Sequence, residues 1–265
     1  MIRPARFLLL LPAILFLLSC TLPAVKPTTL MPPLIEASEA VAALTDADAT
    51  VNDIRGTVTL KTFDGSGKPA NSVTGYMAFK SPDKVRFTYI GPFGIVLFEA
   101  LVNGTKTILF LPQQLLAYSG ETDTIKDSPF SPSLMGPAFR KPAGPIFVIE
   151  HDGARSILYS ISEDADRHSL AEKIVFDRLT MRQAVRESYE NGLGRYRITY
   201  LTYEQSGGVS VPTSITLEDL ASGSRMEITI RDYIVNSGIS DEVFDTAVLP
   251  PYVEKPLDSF VPPEY

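Results

Sequence analysis

Strict alternation of apolar and polar residues is the feature that most constrains this chain. In residues 54–61, Ile54, Val58 and Leu60 alternate with charged and hydroxyl side chains, and similar stretches recur as far as residue 234. A period of two places successive side chains on opposite faces of a strand, so each stretch predicts a strand with one buried face. Turn-forming sequences such as Asn103-Gly104 separate the stretches and predict hairpins. The alternation therefore predicts an antiparallel meander.

The number of stretches predicts how the sheet closes. We count about ten to twelve strands, and open twisted sheets of that size tend to curl. One helix is predicted before them, over residues 34–50, because apolar residues recur there on one helical face. Residues 113–150 carry five prolines and predict short helices or loops. We therefore expect a mainly β (α+β) fold, an incomplete antiparallel β-barrel whose apolar interior is closed by short helices.

Cys20 is the only cysteine, and its position predicts where the protein resides. It follows a short apolar stretch, which Arg3 and Arg6 precede. A basic start, a short apolar run and small residues near its end are typical of a secretory signal peptide, whereas a bilayer span needs about 20 apolar residues. The ending Leu-Leu-Ser-Cys resembles the bacterial lipobox, in which the cysteine is acylated. An ordinary signal peptide with a chance cysteine is the alternative.

These features divide the chain into four predicted segments. Residues 1–19 are a lipoprotein signal peptide, and residues 20–33 are the acylated N-terminus and a Pro-rich extended tether. Residues 34–235 form the half-barrel domain. Residues 236–265 are a Pro-rich C-terminal extension, either packed over the body or loose. No second cysteine is present, so the core must hold the fold without disulfides.

Composition and motifs argue against several classes of function. The formal net charge is −7 at pH 7, whereas nucleic-acid binding needs clustered lysine and arginine. The two histidines, His151 and His168, lie in no nucleophile motif and have no zinc-site spacing. We therefore expect no catalytic residue, no metal and no cofactor. A periplasmic hydrolase is an alternative that would need a serine placed beside His151 or His168.

Several stretches at both ends of the body carry a family resemblance. They include Lys84-Val85-Arg86-Phe87 and Gly91-Pro92-Phe93-Gly94, followed by an apolar strand. The matching residues are 54–56, 84–87, 91–94, 95–102, 211–219, 223–228 and 233–235. In order and spacing they resemble the LolA/LolB family of outer-membrane lipoprotein-sorting proteins, and LolB-like lipoproteins in particular. Residues 113–150 and 236–265 depart from the family pattern.

The resemblance implies a hydrophobic cavity inside the incomplete barrel. Inward-facing apolar side chains would line it, since acyl chains need only an apolar wall and methionine adapts to variable shapes. Ordinary core packing is the alternative for these residues, and a register error of one residue would turn them to the other face. The candidates are Val58, Leu60, Met77, Phe87, Tyr89, Leu97, Leu109, Ile198, Ile228 and Ile230.

The resemblance also implies a membrane-insertion loop. In the family, a short loop between two strands carries an exposed apolar residue that helps deliver clients to the membrane, and Pro92, Phe93 and Gly94 match that loop. Phe93 would lie at its tip, where burial in lipid gains about 1.5–3 kcal/mol. A phenylalanine folded back onto the core is the alternative.

The resemblance and Cys20 together predict partners and a location. Thr21 follows Cys20, and the absence of aspartate there favours the outer membrane, facing the periplasm. The chain would receive the acyl chains of lipoproteins from a LolA-like periplasmic carrier and insert them into that membrane. We expect a monomer. The alternative is a lipid-binding or envelope-assembly lipoprotein that binds phospholipid without transferring clients.

Overall fold

The structure is a computed structural model that describes residues 32–122, 144–164, 167–247 and 251–260. The predictions for the signal peptide, for Cys20 and for most of the tether lie outside these residues. The predicted helix is present as α1 (Ala37–Ala49), with Glu39 in its first turn, where the helix dipole favours an acid. Among the described residues, no helix has the length and apolar character that a bilayer span requires.

The described residues contain fourteen strands, all in one sheet. The first group comprises β1 (Asp53–Phe63), β2 (Pro69–Lys80), β3 (Lys84–Ile90), β4 (Val96–Asn103), β5 (Lys106–Leu111) and β6 (Leu116–Glu121). The second group comprises β7 (Ile146–Asp152), β8 (Arg155–Asp164), β9 (Arg167–Asp177), β10 (Gln183–Glu190), β11 (Leu193–Ser206), β12 (Val209–Asp219) and β13 (Arg225–Val235). A short strand, β14 (Val253–Pro256), comes last.

The sheet consists of two meanders joined at β1 and β13. The order of strands is β14-β6-β5-β4-β3-β2-β1-β13-β12-β11-β10-β9-β8-β7. The pairs are antiparallel except for β14 with β6, which is parallel. The two edge strands, β14 and β7, do not pair with each other, so the curled sheet is an incomplete barrel. The predicted mainly β fold class is confirmed.

The region 113–150 differs from its prediction. We expected short helices or loops, but β6 and β7 occupy residues 116–121 and 146–152. Both strands were missed because their sequences do not alternate cleanly. Residues 116–121 include alanine, serine and glycine, and residues 146–149 are a continuous apolar run. The part of the region at residues 123–143 lies outside the described residues.

One face of the sheet, here called the inner face, carries the core. The strand register aligns Phe87 with Met77 and Ala100, and Ala100 with Leu109, so apolar side chains continue across the strands. They form the main cluster, which draws on β1–β5 and β11–β13. A second group, the helix cluster, comprises Ala40 and Leu44 of α1 with Leu158, Ile174 and Phe176 of β8 and β9.

The residues after β13 cross the opposite, outer face before β14 begins. Asp53 accepts hydrogen bonds from the backbone amides of Ser237 (2.8 Å) and Gly238 (2.9 Å), which fixes the start of this segment. Asn103 Nδ2 donates to the carbonyl of Phe244 at 3.1 Å, and Phe244 is fully buried. The C-terminal extension is therefore packed on the sheet in its described part.

Candidate functional site

Phe93 occupies the tip of the loop between β3 and β4. Gly91–Gly94 form a tight turn in which the amide of Gly94 donates to the carbonyl of Gly91 at 3.3 Å, and the amide of Gly91 donates to the carbonyl of Ile95 at 2.8 Å, which closes the loop. Phe93 itself has φ 64° and ψ 18°, in the left-handed region. The aromatic side chain is 100% exposed. The alternative, a ring folded back onto the core, does not describe this structure.

Two energetic features mark the Phe93 loop, and Leu115, with φ 52° and 47% exposure, shares both. A large apolar side chain loses about 1.5–3 kcal/mol when it is left in water rather than buried. A non-glycine residue in the left-handed region is also strained, and such residues concentrate at functional positions. The adjacent Ile95 is 46% exposed. The loop therefore presents apolar surface that packing within the described chain leaves uncovered.

The structure brings together nine of the ten candidate cavity residues. Eight are members of the main cluster, each at most 7% exposed, and Tyr89 packs against it. The exception is Leu97, which lies at an irregularity in the β3–β4 register, outside the cluster. Leu97 instead lies against Gly91. A Cβ atom added to Gly91 would come within 2.5 Å of the Cδ1 atom of Leu97.

These residues pack against one another in the structure. Two clefts of about 440 Å³ occur elsewhere. One is lined mainly by outer-face residues such as Arg55, Tyr76 and Arg86, and the other lies beside Tyr252 of the C-terminal segment. A smaller cleft of about 170 Å³ reaches the main cluster at Leu217 and Met226, and polar residues such as Asp219 and Arg225 also line it.

A buried ion pair divides the inner face, and sequence reasoning missed it. The register places Arg186 between Ile174 and Ile198, so a cation sits between the two apolar clusters. Its Nη2 and Nε atoms donate to Oε1 of Glu172 at 2.6 and 3.1 Å. Both side chains are only 10% exposed. The sequence does contain a signal for this pair, because Glu172 lies on the same period-two strand face as the apolar residues Ile174 and Phe176.

The C-terminal hook, residues 253–260, packs over the body, which is one of the two alternatives expected for the extension, but its strand and its buried residues were not predicted. Its strand β14 lies against β6, and Leu257 is buried in the main cluster. The ring of Phe260 lies 5.2 Å from that of Tyr118, edge to face, and 6.2 Å from that of Phe98. The hook thus passes round the sheet edge and reaches the inner face. No period-two pattern marks these residues, so only the tertiary structure reveals their position.

The hydrolase alternative requires a serine beside a histidine, and His151 has such a serine. Its Nδ1 atom lies 2.7 Å from Oγ of Ser156, the residue directly opposite on β8. Ser156 is fully buried, however, so a substrate carbonyl cannot approach the hydroxyl. The described residues contain no group of three or more His, Cys, Asp or Glu side chains that could hold a metal ion.

Solved structures share this fold, whereas sequence comparison finds no match. No protein-family model matches the chain, and no curated protein sequence matches it. A DUF1329 family protein from Desulfovibrio piger aligns with a TM-score of 0.63 at 14% identity, over 79% of this chain and 96% of that one. A LolA superfamily protein from Nitrosomonas europaea aligns with a TM-score of 0.59 at 14% identity, over 80% and 98%.

A third structure belongs to the same group of folds. A domain from Vibrio parahaemolyticus, described as an outer membrane lipoprotein-sorting protein, aligns with a TM-score of 0.58 at 15% identity, over 79% of this chain and 97% of that one. Because the identities are low, these alignments establish the fold. The chain has the LolA-like incomplete barrel.

Proposed function

We propose that this chain is a lipid-anchored outer-membrane protein of the LolB type. It would be tethered through acylated Cys20, accept the acyl chains of lipoproteins from a LolA-like periplasmic carrier, and insert them into the outer membrane. In this proposal it is no enzyme and uses no cofactor. The observation that carries the proposal is Phe93, a fully exposed aromatic residue held in left-handed backbone at a loop tip.

The fold and the loop support complementary parts of this function. One similar structure is described as a lipoprotein-sorting domain, and the inner face of this chain has the apolar wall that an acyl chain needs. An exposed aromatic ring partitions favourably into the membrane interface. Transfer would run down a gradient of affinity from carrier to receptor to bilayer, in which each tenfold step corresponds to about 1.4 kcal/mol.

A substitution at Phe93 separates delivery from uptake. Phe93→Glu removes the apolar tip without touching the main cluster, so we expect normal uptake from a carrier–lipoprotein complex and impaired insertion into liposomes. Leu179→Glu is the matched control, since Leu179 is 78% exposed and lies in a different loop, between β9 and β10. Both steps are measured by following a labelled lipoprotein through the soluble and liposome fractions.

The outcomes of this assay are distinct. If the wild-type chain takes no lipoprotein from the carrier, the receptor function is wrong. If Phe93→Glu and Leu179→Glu impair insertion equally, the loop has no specific role. Equal loss of uptake and insertion in Phe93→Glu alone would contradict the assignment of Phe93 to delivery.

The C-terminal extension motivates a second candidate function. It departs from the family pattern and places Leu257 and Phe260 against the main cluster, so the chain would also suit a lipid-binding or envelope-assembly lipoprotein that does not pass clients onward. Native mass spectrometry of the purified protein distinguishes the two. Bound diacyl phospholipid, together with failure to accept a lipoprotein from the carrier, would support this second function.

A further inference from the structure

The C-terminal hook combines apolar contacts on the inner face with weak attachment at the sheet edge. Leu257 is 4% exposed within the main cluster, and Phe260 packs against the same cluster. The attachment is the parallel pairing of β14 with β6 over four exposed residues, with a hydrogen bond from Ser119 to Glu254 and Lys255 over the ring of Tyr118. Parallel pairing is slightly less stable per residue than antiparallel pairing. The hook is therefore an element that can open locally while the sheet stays folded.

The surface beneath the hook is suited to an apolar chain. Phe98 and Tyr118 contact the ring of Phe260, and Gly120 lies against Leu257, where a Cβ on the glycine would come within 2.7 Å of the leucine Cβ. The missing side chain at Gly120 leaves room that Leu257 fills. A saturated acyl chain presents the same methylene and methyl surface as these two hook side chains.

We propose that the hook occupies an acyl-chain subsite on the inner face, and that lipid and hook compete for it. This inference rests on the proposed function, because it names where the acyl chain binds. Leu257 and Phe260 cover the subsite when no lipid is bound, and an incoming chain displaces them toward the sheet edge. The segment that crosses the outer face stays attached through Asp53 and the other contacts described above.

Affinity for an acyl probe tests the competition. The probe is 11-dansylaminoundecanoate, and the protein is the mature chain from residue 20 with Cys20→Ser to leave it unacylated. Phe260→Ser weakens the hook, so we expect probe binding about 10- to 100-fold tighter than in the parent chain. Tyr252→Ser is the matched control, because Tyr252 contacts Phe110 on the outer face, with 5.1 Å between ring centroids. We expect its affinity to equal that of the parent.

Tryptophan fluorescence reports the displacement directly. The chain contains no tryptophan, so Phe260→Trp introduces a single reporter within the hook. On titration with palmitate we expect its emission to shift to longer wavelength, since the indole leaves apolar contacts for water. Tyr252→Trp, on the outer face, should show no shift with the same ligand.

The outcomes separate failure of the hook from failure of lipid binding. Equal affinity in all variants, with unchanged emission from the Phe260→Trp variant, would overturn the hook proposal and leave lipid binding intact. If neither the parent nor Phe260→Ser binds the probe, both the subsite and the proposed function are wrong. Tighter binding in Phe260→Ser alone, together with the emission shift, supports the subsite.

Discussion

The two halves of the inner face are covered in different ways. Over β7–β9, the thirteen-residue helix α1 packs with Ala40 and Leu44 against the strands. On the β4–β6 side, the described cover consists of Leu257 and Phe260 of the C-terminal hook. A helix fixes many side chains at once, whereas the hook places only two apolar side chains on the face. In our proposal, one continuous sheet therefore carries a permanent cover on one half and a displaceable cover on the other.

Breaking the Arg186–Glu172 ion pair, which lies between the two halves, should give the largest loss of stability. Arg186→Ala removes the guanidinium that pairs with buried Glu172, so we expect the free energy of unfolding to fall by about 3–5 kcal/mol. Chemical denaturation followed by far-UV circular dichroism measures this loss. The double replacement Glu172→Leu with Arg186→Met removes both charges and should recover most of it. A loss below about 1 kcal/mol in Arg186→Ala is typical of a solvent-exposed ion pair, and it would show that no buried charge separates the two halves.

Matched leucines compare the two covers themselves. Leu44 of α1 and Leu257 of the hook are 3% and 4% exposed. We expect Leu44→Ala to lower the free energy of unfolding by about 2–5 kcal/mol and to speed amide exchange throughout β7–β9. Leu257→Ala should speed exchange in residues 253–260 alone, because the hook opens locally. Hydrogen exchange measured by mass spectrometry checks both.

One result from these two leucine variants would contradict the difference between the permanent and the displaceable cover. If Leu257→Ala accelerates exchange across the main cluster as strongly as Leu44→Ala does across β7–β9, the hook is an integral part of the core. Tyr252→Ala, which changes the C-terminal segment on the outer face, provides the control for effects on the segment as a whole.

Asp53 should hold the fixed end of the C-terminal segment in a pH-dependent way. Burial raises the pKa of Asp53. Hydrogen bonds from the Ser237 and Gly238 amides and from the Ser237 hydroxyl together lower it by more than burial raises it, so the resulting pKa lies below its usual value. The folded state therefore binds a proton less readily than the unfolded state. The stabilisation is present above the usual carboxyl pKa and is lost as the pH falls below it.

Replacing Asp53 tests this attachment. We expect Asp53→Asn to cost about 1–3 kcal/mol at neutral pH, because buried amides lose their charged acceptor. The same variant should flatten the fall of stability that occurs as the pH drops below the usual carboxyl pKa, measured by urea denaturation at each pH. An unchanged acid limb in Asp53→Asn would show that other carboxylates control the loss.

Asp241 should give the smallest effect, although its pKa changes strongly. Hydrogen bonds from Lys84 and Lys80 lower the pKa of Asp241 to about 2. The carboxylate side chain is 66% exposed, so solvent and salt screen both contacts. We expect Asp241→Asn to leave the thermal midpoint at neutral pH and 0.15 M salt unchanged within error. A clear decrease that persists in 1 M salt would show that the outer-face contact is structural.

Alternation predicted most of the sheet because it records which side of each strand is buried. The stretch around Ile54–Leu60 predicted β1, and nine of ten inner-face candidates fall together. The prediction that Leu97 lies on the inner face was wrong, because an irregularity between Tyr89 and Ile90 changes the register of β4 at that point. β7 was missed because its apolar run lacks a period, with Val148 46% exposed on the sheet edge.

The sequence by itself determined most of the strands, most of the inner face and the place of the Phe93 loop, since a period of two and a Pro-x-Gly turn are local properties of the chain. Only the tertiary structure decided what lies against the inner face. That depends on contacts between residues far apart in sequence, such as Phe260 with Tyr118 and Phe98, or Arg186 with Glu172. Periodicity states that a face is apolar, but the packing partner that covers it comes from the fold.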